Sequence, residues 1–253
     1  MEQNEIDKYV ESFITSITKA PLSQKENRNF SQQDIYKNAV YQGYLDASRT
    51  FTRISEIGTD NRDEVFEEAA EKISEFFKNE EDASEEVFDE KHKCFCDCLI
   101  NKFEEKQYTI TYGKAQKIVN MAFKYLYCCE GARNKEKLFK FCHMTLDTYT
   151  LNWVKKNTSI KRTKEWSKLD KEEYLDIQKA IRKTINENGN LKKYTVLQNE
   201  FIIWPDEMLL EALYDAKKAL NSAKSINSHQ NNEMKSIINE IKTILCETSE
   251  KYK

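Results

Sequence analysis

Two side chains in this sequence have the types and spacing for covalent chemistry. Lys117 lies in "YGKAQKIVNMAFKYLYCC" (112–129), and Asp147 opens "DTYTLNW", thirty residues further on. An amine at the rim of a cleft and a carboxylate at a helix start are the minimum parts for nucleophilic attack at a sugar carbon. The amine forms the covalent bond, and the carboxylate offsets the positive charge that develops and helps to move protons. Each residue also has a plain reading. A lysine at the edge of an apolar face runs its stem along that face and keeps its ammonium in water. An aspartate before a helical pattern caps the first free amides.

The elements that must hold these groups are helical. From near Lys114, helical spacing turns Ile118, Met121, Ala122, Tyr125 and Cys129 toward a core and leaves Lys117 at the edge of that face. Gly113, just ahead, lacks a Cβ and so permits close approach of a neighbour or a phosphate. A first helix is expected over about 6–18, stopping before Pro21. A second starts near Ser31, where "SQQD" supplies a cap, and carries Ile35, Ala39, Tyr41 and Tyr44. "NRDEVFEEAAEKISEFF" places Val65, Ala69, Ile73, Phe76 and Phe77 on one side, with glutamates opposite. "SEEVFDEKHKCFCDCLINKF" and the turn "EKQYTITYG" then lead to the lysine helix. Asp170 followed by Glu173 reads as a capping box for a helix ending at "ENGN", and the helix containing "QNEFIIW" is expected to break at Pro205. Two more helices follow, the last with Ile237, Ile238, Ile241 and Leu245 on one face.

Composition supports an all-α, compact multi-helix globular fold. The chain has 253 residues, only 5 Gly and 2 Pro, and no alternating runs of the kind strands need. The expected organisation is one helical domain over 1–221, divisible into an acidic lobe (1–105) and a basic lobe (106–221). A polar linker over 222–233 and a C-terminal amphipathic helix over 234–253 complete it. That last helix reads as a lid on the core or as a docking element for a protein partner. No stretch approaches the roughly 20 apolar residues of a membrane span, and the opening residues lack the pattern of a signal peptide, so a cytoplasmic location is expected. Seven cysteines, an odd number, argue against a disulfide framework. Charge is unevenly spread: 12 Lys/Arg against 23 Asp/Glu in 1–100, but 19 against 10 in 111–200. The second window can neutralise phosphates, or it can be a set of solvated helix faces.

The order "GKAQKIVNMAFKYLY", "LDTYTLNW", "EEYLDIQKAI" and "NEFIIW", over roughly 109–205, resembles the archaeal-type 8-oxoguanine DNA glycosylases of the helix-hairpin-helix superfamily. The resemblance implies a Gln-Lys pair at Gln116 and Lys117, with Lys117 the nucleophile and Asp147 its partner. It places Glu200 and Trp204 in the base pocket, with Gln116 and Met121 beside them. It also implies DNA as the partner, double-stranded with a flipped base, and base excision with strand cleavage through a lysine Schiff base, without a cofactor. Gly113, Lys114, Lys155, Lys156, Lys161 and Arg162 are the candidate phosphate contacts. Three details depart from the family pattern: "MTLD" replaces a proline-containing turn before the aspartate, "TITYGK" replaces a hairpin with paired glycines, and Glu200 replaces a shorter aspartate.

"HKCFCDC" brings His92, Cys94, Cys96 and Cys98 together in sequence, but the single-residue spacing differs from that of structural zinc ligands, and on a helix these side chains diverge. No metal site is expected. The alternative to an enzyme is a catalytically inactive or repurposed helical interaction protein, in stress or phage defence.

Overall fold

The structure, a computed structural model, describes residues 3–16, 32–79, 84–129 and 136–226. Among them all regular structure is helical. The helices are α1 (Gln3–Ser16), α2 (Gln32–Ala47), α3 (Thr59–Asn79), α4 (Glu85–Glu105), α5 (Tyr112–Cys128), α6 (Glu136–Phe139), α7 (Thr148–Asn157), α8 (Lys171–Glu187) and α9 (Val196–Ile226). No helix among these residues is long and apolar enough to cross a membrane.

Local sequence chemistry sets most helix starts. Ser84 accepts from the Val87 amide at the head of α4. Asp170 and Glu173 form the capping box expected from the sequence at the head of α8. Val65, Ala69, Ile73, Phe76 and Phe77 of α3 are all buried. They join Phe66, Phe88, Phe103, Phe123 and Phe139 in an aromatic core whose rings meet mostly edge-on or tilted. Each such ring contributes about 1.5–3 kcal/mol by leaving water.

Helix α5 is the axis of this core. The sequence suggests one apolar face, but the helix is enclosed on nearly all sides: Gln116, Lys117, Asn120 and Lys124 are buried together with Ile118, Ala122 and Leu126. Helix α2 crosses it closely, because Gly43 lies against the Ile118 backbone; a Cβ at 43 would stand 2.4 Å from the Ile118 carbonyl oxygen. Acidic and basic halves are therefore interleaved in one compact unit, residues 1–202, rather than forming two lobes.

Two expectations near the C-terminus are corrected. Pro205 does not end its helix, since α9 runs from Val196 to Ile226 with the proline inside. A mid-helix proline removes one backbone hydrogen bond and costs about 3 kcal/mol; the run of Leu, Glu, Met and Ala that follows favours helix strongly enough to continue. Residues 222–226, assigned to a linker, are helical too. The second compact unit begins at residue 203, within α9. The rest of the linker and the final helix at 234–253 lie outside the described residues.

Candidate functional site

The head of α5 is fastened to the turn Trp166–Lys168. The Thr111 side chain caps the helix by accepting from the Lys114 amide at 3.2 Å, and donates its own proton to the Ser167 carbonyl at 2.6 Å. The Gly113 amide donates to the Leu169 carbonyl at 3.0 Å. A Cβ on Gly113 would stand 1.9 Å from the Trp166 carbonyl oxygen, so only glycine permits this approach. The sequence offered two neighbours for Gly113, a phosphate or another part of the chain, and the chain occupies the place. The consequence is chemical: the Trp166 ring is brought over Lys117, with the ammonium nitrogen 4.6 Å from the ring centroid.

Asp147 is placed by an extended, buried segment, 142–146, whose backbone is bonded by side chains rather than by a sheet. Gln116 grips Leu146 at both ends, accepting from its amide at 3.2 Å and donating to its carbonyl at 2.9 Å. Gln178 grips Met144 in the same way, at 3.3 and 2.7 Å. Glu200 accepts from the Thr145 amide at 2.7 Å, while the Thr150 hydroxyl donates to the Thr145 carbonyl at 2.7 Å and accepts from the Asp147 amide at 2.8 Å. A buried irregular segment must satisfy its polar groups somewhere, and four helices supply the partners.

The plain reading of Asp147 as a cap holds, and its second oxygen also faces Lys117. Its Oδ1 caps α7, accepting from the Tyr149 and Thr150 amides at 3.0 and 3.1 Å, and Oδ2 faces the Lys117 Nζ at 3.5 Å. The plain reading of Lys117 fails, because the residue is only 9% exposed and does not reach out into water. At 3.5 Å the pair is looser than a direct charge-assisted bond, which closes to about 2.7–2.9 Å.

A second lysine lies two turns along α5. Lys124 forms a buried ion pair with Glu200 at 2.9 Å, its ammonium set 4.7 Å from the Phe13 ring and 4.8 Å from the Phe201 ring. Helix α2 adds Asp46, whose Oδ2 accepts from the Tyr125 hydroxyl at 2.8 Å. Burial among protein atoms raises the Asp46 pKa, Tyr125, Lys117 and Lys124 pull it down, and Asp147 raises it. Asp46 is nevertheless exposed to solvent.

The other expected site residues fall into three groups. Gln116 and Glu200 are fully enclosed and already committed, Gln116 to the backbone of 113 and 146 and to Asn120, Glu200 to Lys124 and Thr145. Expected in a base pocket, both side chains hold the backbone of the segment that leads to Asp147. Met121 is buried one turn beyond Lys117, and Trp204 is half-buried in the second unit. Of the basic residues, Lys156, Lys161 and Arg162 are exposed, and Lys155 is half-buried. These four sit at the end of α7 and in the loop after it, on the chain between Asp147 and Trp166. Lys114 is half-buried over the Phe51 ring, where desolvation lowers its pKa.

The cysteine-rich stretch lies on α4, and the six cysteines among the described residues are free. No group of three or more His, Cys, Asp or Glu among the described residues is arranged to hold a metal ion. His92 instead joins a buried network with His143, Tyr174 and Asn120. Asp89 carries a bidentate pair with Arg182 at 2.8 and 2.6 Å and accepts from the His143 Nε2 at 2.8 Å. His143 Nδ1 must then accept the Tyr174 proton, at 2.7 Å. Burial lowers the pKa of both histidines. Burial alone would raise the Asp89 pKa, but Arg182 and His143 outweigh it and hold the carboxyl far below the usual range.

Comparison with protein-family models, curated proteins and solved structures finds no match. The site therefore rests on its own geometry. Sequence reading did not find Trp166, Lys124 or Asp46 as site residues. For Trp166 a signal existed in Gly113, whose close neighbour the sequence could not name; for the other two, helical periodicity gives no sign of which charged residue will be drawn inward.

Proposed function

We propose that this chain is a DNA base-excision glycosylase with lyase activity, acting on an oxidised or modified purine of the 8-oxoguanine kind. The observation that carries the reading is the meeting of Lys117 and Asp147 at 3.5 Å, from thirty residues apart, with the Trp166 ring over the ammonium and an exposed basic stretch on the chain between Asp147 and Trp166. A base inside a duplex is unreachable, so the nucleotide rotates out of the stack at a cost of about a few kcal/mol. Lysines 156 and 161 with Arg162 grip phosphates. The Lys117 amine gives up a proton to the Asp147 carboxylate and attacks C1′; the base departs with the electron pair of the glycosidic bond. Asp147 offsets the positive charge developing on the sugar. Breaking the C1′–O4′ bond opens the sugar to a Schiff base on Lys117, from which the 3′ phosphate can be eliminated.

The alternative, a helical interaction protein, gains little from the described surface. Met208, Leu209 and Tyr214 of α9 are exposed, Tyr214 at 68%, but at about 100° per residue they point to different sides and form no single stripe.

The test is borohydride trapping on oligonucleotides bearing 8-oxoguanine, uracil or an abasic site. The native chain is expected to give a covalent adduct that Lys117→Ala abolishes and Asp147→Ala strongly reduces. Absence of any adduct and of any base release would overturn the reading.

A further inference from the structure

Asp46 is the acidic group at this site with a free side. The Asp147 carboxylate is divided between a helix cap and Lys117, and Glu200 is enclosed with both oxygens engaged. Asp46 has one oxygen fixed by the Tyr125 hydroxyl, the other without a bonding partner among the described residues, and a surface open to solvent. Tyr125 is buried and stands on the same helix as both lysines, so the direction of the Asp46 carboxyl is set by the helix that sets Lys117. The close crossing of α2 over α5 at Gly43 and Ile118 holds the helix of Asp46 against the helix of Lys117. The charged and titratable groups that act on Asp46 are Lys117, Lys124, Asp147 and Tyr125.

Resting on the glycosylase reading, we infer that Asp46 is the proton acceptor for the elimination half of the reaction. Once Lys117 is joined to C1′ as a Schiff base, the Asp46 carboxylate takes the proton from C2′. The electrons of that C–H bond form a C1′=C2′ bond and neutralise the iminium nitrogen. Collapse of this enamine restores the iminium, makes a C2′=C3′ bond and expels the 3′ phosphate with its electron pair. The proton on Asp46 passes to water through its exposed face. No oxidant or cofactor enters the balance.

The assignment separates two steps, and a preformed abasic-site duplex reads them apart. Asp46→Asn keeps the side-chain volume and the bond from Tyr125; it is expected to remain trappable by borohydride on Lys117 while strand cleavage slows by about 10²-fold or more. Tyr125→Phe, which keeps the carboxylate but frees it to turn, is expected to slow cleavage less. Cleavage by Asp46→Asn at the native rate, with trapping retained, would overturn this inference and leave the lysine reading intact. Loss of trapping along with cleavage, in a variant that melts like the native chain, would place Asp46 before the Schiff base and overturn its assignment to elimination. A native chain that is never trapped overturns both readings.

Discussion

Helix α5 carries two polar centres on neighbouring faces, and they are built on opposite terms. On one face, Gln116 and Asn120 look into the network of His92, His143, Tyr174, Asp89 and Arg182, where bonds run between 2.6 and 3.2 Å and the histidines stay neutral. About 100° round the helix, Lys117 and Lys124 look toward Asp147, Glu200 and Asp46, where one pair is tight, one is loose and one carboxyl opens to water. A network in which the one ion pair is internally matched and the histidines stay neutral fixes a fold, because its groups are committed to one another. A charged centre left partly open holds groups ready to exchange protons or partners.

Breaking the charged centre at its tight end is expected to have the largest effect. Glu200→Ala leaves Lys124 buried without its carboxylate and the Thr145 amide without an acceptor, and should cost about 3–5 kcal/mol in denaturant unfolding. A loss under about 1 kcal/mol would mean that Lys124 finds water and that the pair is not the anchor described above. The closed centre should respond less strongly: Tyr174→Phe removes the hydroxyl joining His143, His92 and Asn120, at about 1–3 kcal/mol, with trapping of Lys117 retained. If trapping is lost in a folded Tyr174→Phe chain, the two centres are not independent.

The smallest expected effect is graded rather than abrupt. Both histidines have folded pKa values below the ordinary 6.5, so below that pH the unfolded chain takes up protons that the folded chain refuses. Stability is therefore full above about pH 6.5 and declines as pH falls, by up to about 1.4 kcal/mol per pH unit for each histidine. The depressed Asp89 adds a loss only below its unfolded value of 3.8, as pH falls toward its folded value. Melting temperature followed from pH 8 to 5 checks this; a flat profile would show that the folded chain takes up protons at these histidines as readily as the unfolded chain does.

What could be read from the sequence was local. The capping box of Asp170 and Glu173, the apolar side of α3 and the start of α7 at Asp147 all depend on residues within a few positions of one another. Lys117 and Asp147 could be joined only through the order of motifs. Long-range choices stayed hidden for a physical reason: the side chains that enclose α5 come from α2, α8, α9 and the turn at 166, and nothing in periodicity distinguishes a buried Lys124 from a solvated one. Gln116 and Glu200 show the same limit. Their positions were marked as important, but their work is to hold the backbone of 144–146. Pro205 failed as a stop signal because a breaker is one unfavourable contribution among many favourable ones along α9.

The enclosure of α5 also sets a timescale. A helix covered on nearly every side has amide hydrogens that meet solvent only when the unit around it opens as a whole, whereas the exposed basic loop after α7 can fluctuate by itself. The backbone that carries Lys117 therefore shares the lifetime of the native state and is among the last parts of the molecule to come apart.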